Sequence, residues 1–393
     1  MKNIRNFGLV LVLIFLSAGS INQVLAQETK PQDKVVLRSQ AMEFVDQNRY
    51  LDAFPLLEKL APLYPNDADL WAHYGIAILT RSGTLGSASE RKTERIKAYN
   101  VLTKAKQLGT KNVNALNFLD NLPADGGVED NLTGNPEFEK NLREGEGFFG
   151  RGEYDKAFTA YEKAFKINPK SYEAVLFMGD ALYAAGKYKE SEPWFAKAVE
   201  LDPNREQAYH YWGDALMAQK KTSEARDKFV DALIAQPYSR LIWDRLGRWV
   251  GETGAKTAPL EITPPGNDAL GAVRIDETLL KAENGTTSWK FYNETRKAQV
   301  VTSGSGKRTL AGEVAAFRKV AEVTRNDLKS GKVKYPDQSL INLVKLDDAG
   351  LLEAYVLLIR PDEDIAEEYE GYRAKNRDKL RKFIIEFLLG MSK

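Results

Sequence analysis

Apolar residues in the middle of this chain recur at intervals of three and seven, the spacing that lines them up on one face of a helix. Val175, Met178 and Leu182 form one such stripe, and Tyr209, Trp212 and Leu216 form its copy 34 residues later. Other positions keep the same interval: Gly145, Gly179, Gly213 and Gly247 are 34 apart, and so are Pro169, Pro203 and Pro237. The pattern predicts helical hairpins. Gly179 and Gly213 in the first helix, and Ala198 and Ala232 in the second, are small enough for two backbones to approach closely. Each proline bars its predecessor from helical geometry, so the second helix stops there and the next unit begins. One hairpin cannot bury its apolar face alone, whereas stacked copies can.

The units match in residue type as well as in spacing. Glu153-Tyr154-Asp155-Lys156-Ala157 with Tyr161, Ala164 and Asn168-Pro169 is followed by Lys187-Tyr188-Lys189-Glu190-Ser191 with Phe195, Ala198 and Asp202-Pro203. A third copy carries Ala225, Phe229, Ala232 and Gln236-Pro237. This pattern resembles the tetratricopeptide repeat (TPR). The expected fold class is all-α, a TPR α-solenoid of helix-turn-helix repeats followed by a mostly helical C-terminal region. Three regular repeats and a capping helix span 137–250. Two less regular hairpins span 34–122, with an insertion at 81–95 expected to project from the edge of the stack. Residues 123–136 and 251–268 read as linkers from their Gly, Pro and polar content.

Residues 269–393 lack the period and match no family. A short strand is expected near 272–275. Leu310, Val314, Phe317 and Ala321 mark one helix and 351–359 another. One final helix is expected, with Pro361 at its start and Ile365, Tyr369, Tyr372, Leu380, Ile384 and Phe387 as its buried stripe.

The N-terminus reads as an export signal. Lys2 and Arg5 precede the apolar run 7–16, and Val24-Leu25-Ala26 suits cleavage after Ala26, making 1–26 a signal peptide. The run is too short to span the ~20-residue thickness of a bilayer, so no stable membrane insertion is expected after its removal. The protein is expected to be exported, either periplasmic or secreted.

Charge narrows the partners. Lys and Arg number 56 against 55 Asp and Glu, which leaves no basic footprint for nucleic acid. With no cysteine and only two histidines, His73 and His210, neither disulfides nor a thiolate metal site can form, and no cofactor or metal is expected. Gly145-Glu146-Gly147-Phe148-Phe149-Gly150 fits a dinucleotide fingerprint but follows a helix rather than a strand. Gly304-Ser305-Gly306-Lys307-Arg308 lacks both the first glycine and the Ser/Thr of a phosphate loop.

The resemblance implies a concave groove lined by the first helix of each repeat. Carried onto this chain, it gives an acidic row, Glu146, Asp180 and Asp214, beside an apolar row, Phe149, Tyr183 and Met217, with His210 and Arg248 on the same surface. Such a groove suits a protein or peptide partner bearing a basic segment. The expected function is therefore a non-enzymatic exported scaffold. Two alternatives stand beside it: an enzyme whose chemistry lies in 269–393, where Asp276, Glu277, Glu283, Asp347 and Asp348 offer carboxylates, and a purely structural envelope component.

Overall fold

The computed structural model describes residues 31–127, 135–269, 272–303 and 307–391. The predicted signal peptide, the phosphate-loop-like glycines and part of the first linker lie outside them. The N-terminal block comprises α1 (Pro31–Asp46), α2 (Tyr50–Leu60), α3 (Ala68–Thr84), α4 (Ala88–Gln107) and α5 (Val113–Asn121). The regular array follows as α6 (Pro136–Phe149), α7 (Tyr154–Ile167), α8 (Tyr172–Ala184), α9 (Tyr188–Leu201), α10 (Glu206–Ala218), α11 (Thr222–Ala235) and the capping α12 (Arg240–Thr253). Starts are set locally: Asn135 accepts from two amides of the first turn of α6, and Ser171 caps α8.

The repeat glycines are contact points. A methyl group added at Gly145, Gly179 or Gly213 would lie 2.2, 2.7 or 2.5 Å from the ring of Tyr161, Phe195 or Phe229 in the second helix of the same hairpin. Ala198 and Ala232 are fully buried on the opposing helices. Gly247 meets nothing within 4 Å, since no second helix follows α12.

The C-terminal region comprises a hairpin of β1 (Gly266–Ala269) and β2 (Ala272–Ile275), then α13 (Lys290–Ser303), α14 (Leu310–Lys329), α15 (Gln338–Asp348), α16 (Leu352–Ile359), α17 (Glu363–Ala366) and α18 (Tyr369–Lys382). One apolar core runs without a break from α10 and α11 into this region, through Phe229, Leu233, Trp289, Phe317, Tyr355 and Ile384. The last carbonyls of α11, which have no partner within their helix, are capped from α18. The Tyr369 hydroxyl donates to Ile234 O at 2.8 Å, and the Arg373 guanidinium donates to Ala235 O.

The insertion at 81–95 lengthens α3 and α4, which meet at a turn of only Leu85, Gly86 and Ser87, and Arg81 pairs with Glu94 across it at 2.8 Å. Two expectations need correction. The stretch 251–268 is an ordered strap. Ala258 N and Leu260 N donate to Leu389 O and Phe387 O, Ile262 is buried, and β1 begins at Gly266. The final helix is broken between α17 and α18, leaves helical geometry at Asn376 (φ −137°, ψ 34°), and continues as a π-helical turn over Phe383–Leu388. These breaks bury Ile365, Tyr369, Leu380 and Ile384 and leave Tyr372 and Phe387 half-buried.

Gly213→Ala and Gly247→Ala should have opposite signs. The first drives a methyl into the buried Phe229 ring and should cost about 1–3 kcal/mol. The second fills open space on an exposed helix face and should gain up to ~1 kcal/mol from helix propensity. Denaturant unfolding of the two variants reads this, and equal losses would contradict the contact geometry.

Candidate functional site

The first helices α6, α8, α10 and α12 present one register position after another, so that Glu146, Asp180, Asp214 and Arg248 succeed each other at 34-residue intervals. Each follows a repeat glycine. Glu146, Asp180 and Asp214 are only partly exposed and lie close to Tyr161, Tyr183 and Tyr211.

Their environments differ. The Tyr161 hydroxyl donates to Glu146 Oε1 at 2.6 Å, and burial still holds that carboxyl above the usual range. Asp180 is the least compensated. Its Oδ1 is out of contact with solvent and receives no hydrogen bond. Burial, and then the charge of Glu146, push its pKa well above 3.8. No cationic side chain among the described residues pairs with Glu146 or Asp180. Asp214 does have a counter-charge, Arg245 Nε at 3.1 Å from Oδ2, yet burial outweighs it and the pKa is again raised. Tyr183, pushed up to about 12 by burial and by Asp214, and Tyr211, pushed far up by burial and Asp180, stay neutral and can donate.

The remaining predicted residues are scattered in role. Phe149 stacks edge-on with Tyr154 at 5.3 Å, and Tyr183 packs on Tyr188 and Tyr211 at 5.6 and 6.4 Å. Met217 packs on the core shared with the C-terminal region rather than forming an apolar row. His210 is buried, with Nδ1 2.6 Å from Glu206 Oε2, so it does have an acidic neighbour, one helical turn away. Arg248 is exposed and bonded to Asp244 at 3.0 Å. Arg245 was missed, although it falls 34 residues after Tyr211 and so on the same face.

The row is also bridged. The C-terminal end of α3 runs antiparallel against the end of α6: Thr80 lies beside Gly150, and Gly83 faces Glu146, where an added methyl would sit 3.7 Å from Oε2. At the other end α5 reaches α12, with the Ser239 hydroxyl 3.4 Å from Asn117 Oδ1 and Arg240 3.4 Å from Asp120. With 17 residues, α3 is about 25 Å long, enough to lie across the row. The N-terminal block therefore spans from the first helix of the concave row to the last.

That bridge is unlike the C-terminal joint. No buried apolar cluster among the described residues contains side chains of both the N-terminal block and the array. The buried residues of α5, Ala115 and Leu119, turn toward Ala72, Ile76 and Leu102 of its own block. What joins α5 to α12 is polar, and an exposed pair such as Asp120–Arg240 contributes only ~0–1 kcal/mol.

In the C-terminal region, Asp347 is held by Arg318 and Arg325, Asp348 by Arg325, and Asp276 caps Thr278. Trp289 and Tyr292 are core residues. The buried Glu313 is bound by Tyr292, Arg296 and Arg308, and ties the start of α14 to Asp362 through Arg308.

Residues 148–220 match the family model of the tetratricopeptide repeat. No curated protein sequence matches the chain. Similar solved structures include the first TPR of Spaghetti (RPAP3) bound to an HSP90 peptide, at 22% identity and TM-score 0.29, covering 30% of this chain and 94% of that one. The TPR2AB domain of yeast Sti1 in complex with pHSP90 aligns at 19% identity and TM-score 0.28, covering 56% and 86%. YrrB, described as a TPR protein with an unusual peptide-binding site, aligns at 17% and 0.26, covering 57% and 96%.

Asp180→Asn should raise thermal stability at neutral pH, because it removes a buried charge with no counter-charge. The sign follows from the raised pKa: the folded state holds its proton to higher pH than the unfolded state, so ionisation costs stability as pH rises. The advantage of the variant should shrink on acidification and vanish below about pH 3.8, where both states are protonated. Asp214→Ala should instead destabilise, by leaving Arg245 unpaired. Melting curves across pH test both.

Proposed function

We propose that this tetratricopeptide-repeat protein is an exported, non-enzymatic interaction scaffold that binds a protein or peptide partner along its concave row, where a lysine or arginine side chain of the partner enters between Glu146 and Asp180. The observation that carries this reading is Asp180. A buried carboxylate oxygen without a donor costs free energy, and an incoming ammonium or guanidinium supplies both the missing hydrogen bonds and the missing charge. The neutral hydroxyls of Tyr183 and Tyr211 suit the polar backbone of the same segment, and their rings suit its aliphatic stems. Arg245 already pairs with Asp214, which favours the α6–α8 end of the row for the incoming charge.

Short fluorescent peptides carrying lysine or arginine should bind, and glutamate analogues should not. Glu146→Gln and Asp180→Asn should each weaken binding about tenfold or more, the scale of a charge-assisted hydrogen bond of ~1.5–3 kcal/mol. Acidification through the raised pKa of Asp180 should release the peptide. A double variant that binds as tightly as wild type would remove the site from the row.

Export is read from the first residues alone. The mature protein should begin at Gln27, and intact-mass measurement of the natively expressed protein decides it. Soluble protein that retains Met1 would contradict the reading.

A further inference from the structure

The C-terminal region and the N-terminal block are held to the array in different ways. One continues its apolar core. The other touches it at the two ends of the concave row and shares no buried apolar cluster with it among the described residues.

Those two ends are unequal. At α6 the joint involves backbone. Leu51 N donates to Gly150 O at 3.0 Å, and Leu51 and Thr80 crowd Gly150 so closely that an added methyl would lie 2.7 Å from Leu51 Cγ. The Tyr154 hydroxyl also donates to Gln47 O at 3.3 Å. At α12 the contact consists of side chains, Asn117 with Ser239 and Asp120 with Arg240, and Phe118 beside them is 42% exposed. Ser239 is diverted to make this contact. It stands at the N-cap of α12, where its oxygen would ordinarily accept from the first turn, but no such bond forms and its hydroxyl faces Asn117.

We propose that the N-terminal block is a clasp over the concave row, hinged at the α6 joint and latched at the α5–α12 contact, and that partner segments enter only when the latch opens. The idea rests on the reading of the row as a binding surface. A backbone-bonded, sterically tight joint at one end, set against one half-buried hydroxyl contact and one exposed ion pair at the other, makes opening at α12 the motion of lowest cost. The acidic row lies between them, so the latch controls access to Asp180 without either block unfolding.

The chain has no cysteine, so a pair introduced at the latch is the only thiol pair present. Asn117→Cys with Ser239→Cys, bridged in the full-length protein by a short bis-methanethiosulfonate, should hold the clasp shut. Neither substitution removes a helix cap bond on α12. The association rate of a lysine-bearing fluorescent peptide should fall at least tenfold and recover on reduction with dithiothreitol. Amide hydrogen exchange over 113–121 should slow by about threefold or more in the bridged form. Asp120→Lys, which sets like charges against Arg240 and leaves both cores alone, should instead speed association. Bridged protein that binds as fast as reduced protein overturns the clasp, as does failure of the pair to bridge when each single cysteine reacts with the reagent. If the reduced protein does not bind the peptide, the reading of the row fails, and exchange then decides the clasp: unchanged exchange over 113–121 overturns it.

Discussion

The architecture depends on one contact made repeatedly, a bare glycine backbone pressed against an aromatic ring. Gly145, Gly179 and Gly213 each leave room for Tyr161, Phe195 or Phe229, and that room sets the distance between the helices of each hairpin of the regular array. The distance in turn fixes the lateral position of the next residue along the first helix, which is Glu146, Asp180 or Asp214. The acidic row thus follows the packing register, because each acid directly succeeds a contact glycine. Tyr161 illustrates the coupling, since the ring that fills the space over Gly145 also carries the hydroxyl that binds Glu146.

The array has two neighbours attached by different physics. Toward the C-terminus, hydrophobic burial is continuous, and polar groups serve to finish helix ends, as Tyr369 and Arg373 do for α11. Toward the N-terminus, the block keeps its apolar surface for itself. Burial scales with area and resists separation over any short distance, while exposed polar contacts are readily replaced by water. The same chain therefore has a rigid side and a yielding one.

Much of this was legible in the sequence, and for a definable reason. A repeat writes each contact several times, so the glycine–aromatic pairs and the helix-ending prolines stand out by recurrence, and Arg245 could have been found by extending the register of Tyr211 by one period. Contacts that occur once leave no such trace. The antiparallel meeting of α3 with α6 pairs residues that follow no period, so the groove read as open. The burial of Asp180 left no trace in the sequence because the tyrosines near it, Tyr161, Tyr183 and Tyr211, come from three hairpins. The strap at 258–262 has the composition of a linker, and only its partners near residue 388 make it structure. Asn376 gives no signal strong enough to mark a break within an otherwise periodic helix.

That strap has a consequence for the order in which the molecule assembles. Ala258 and Leu260 bond to the backbone of Leu389 and Phe387, and Gly390 fits so closely over Ala258 that a side chain there would collide with the carbonyl. Hairpins of the array close locally and can form while synthesis is still under way. The C-terminal region instead waits for the residues around 389 before its first segment can settle. During that interval the apolar faces of α10 and α11 that it covers are open to water, and to any chaperone that recognises exposed apolar surface.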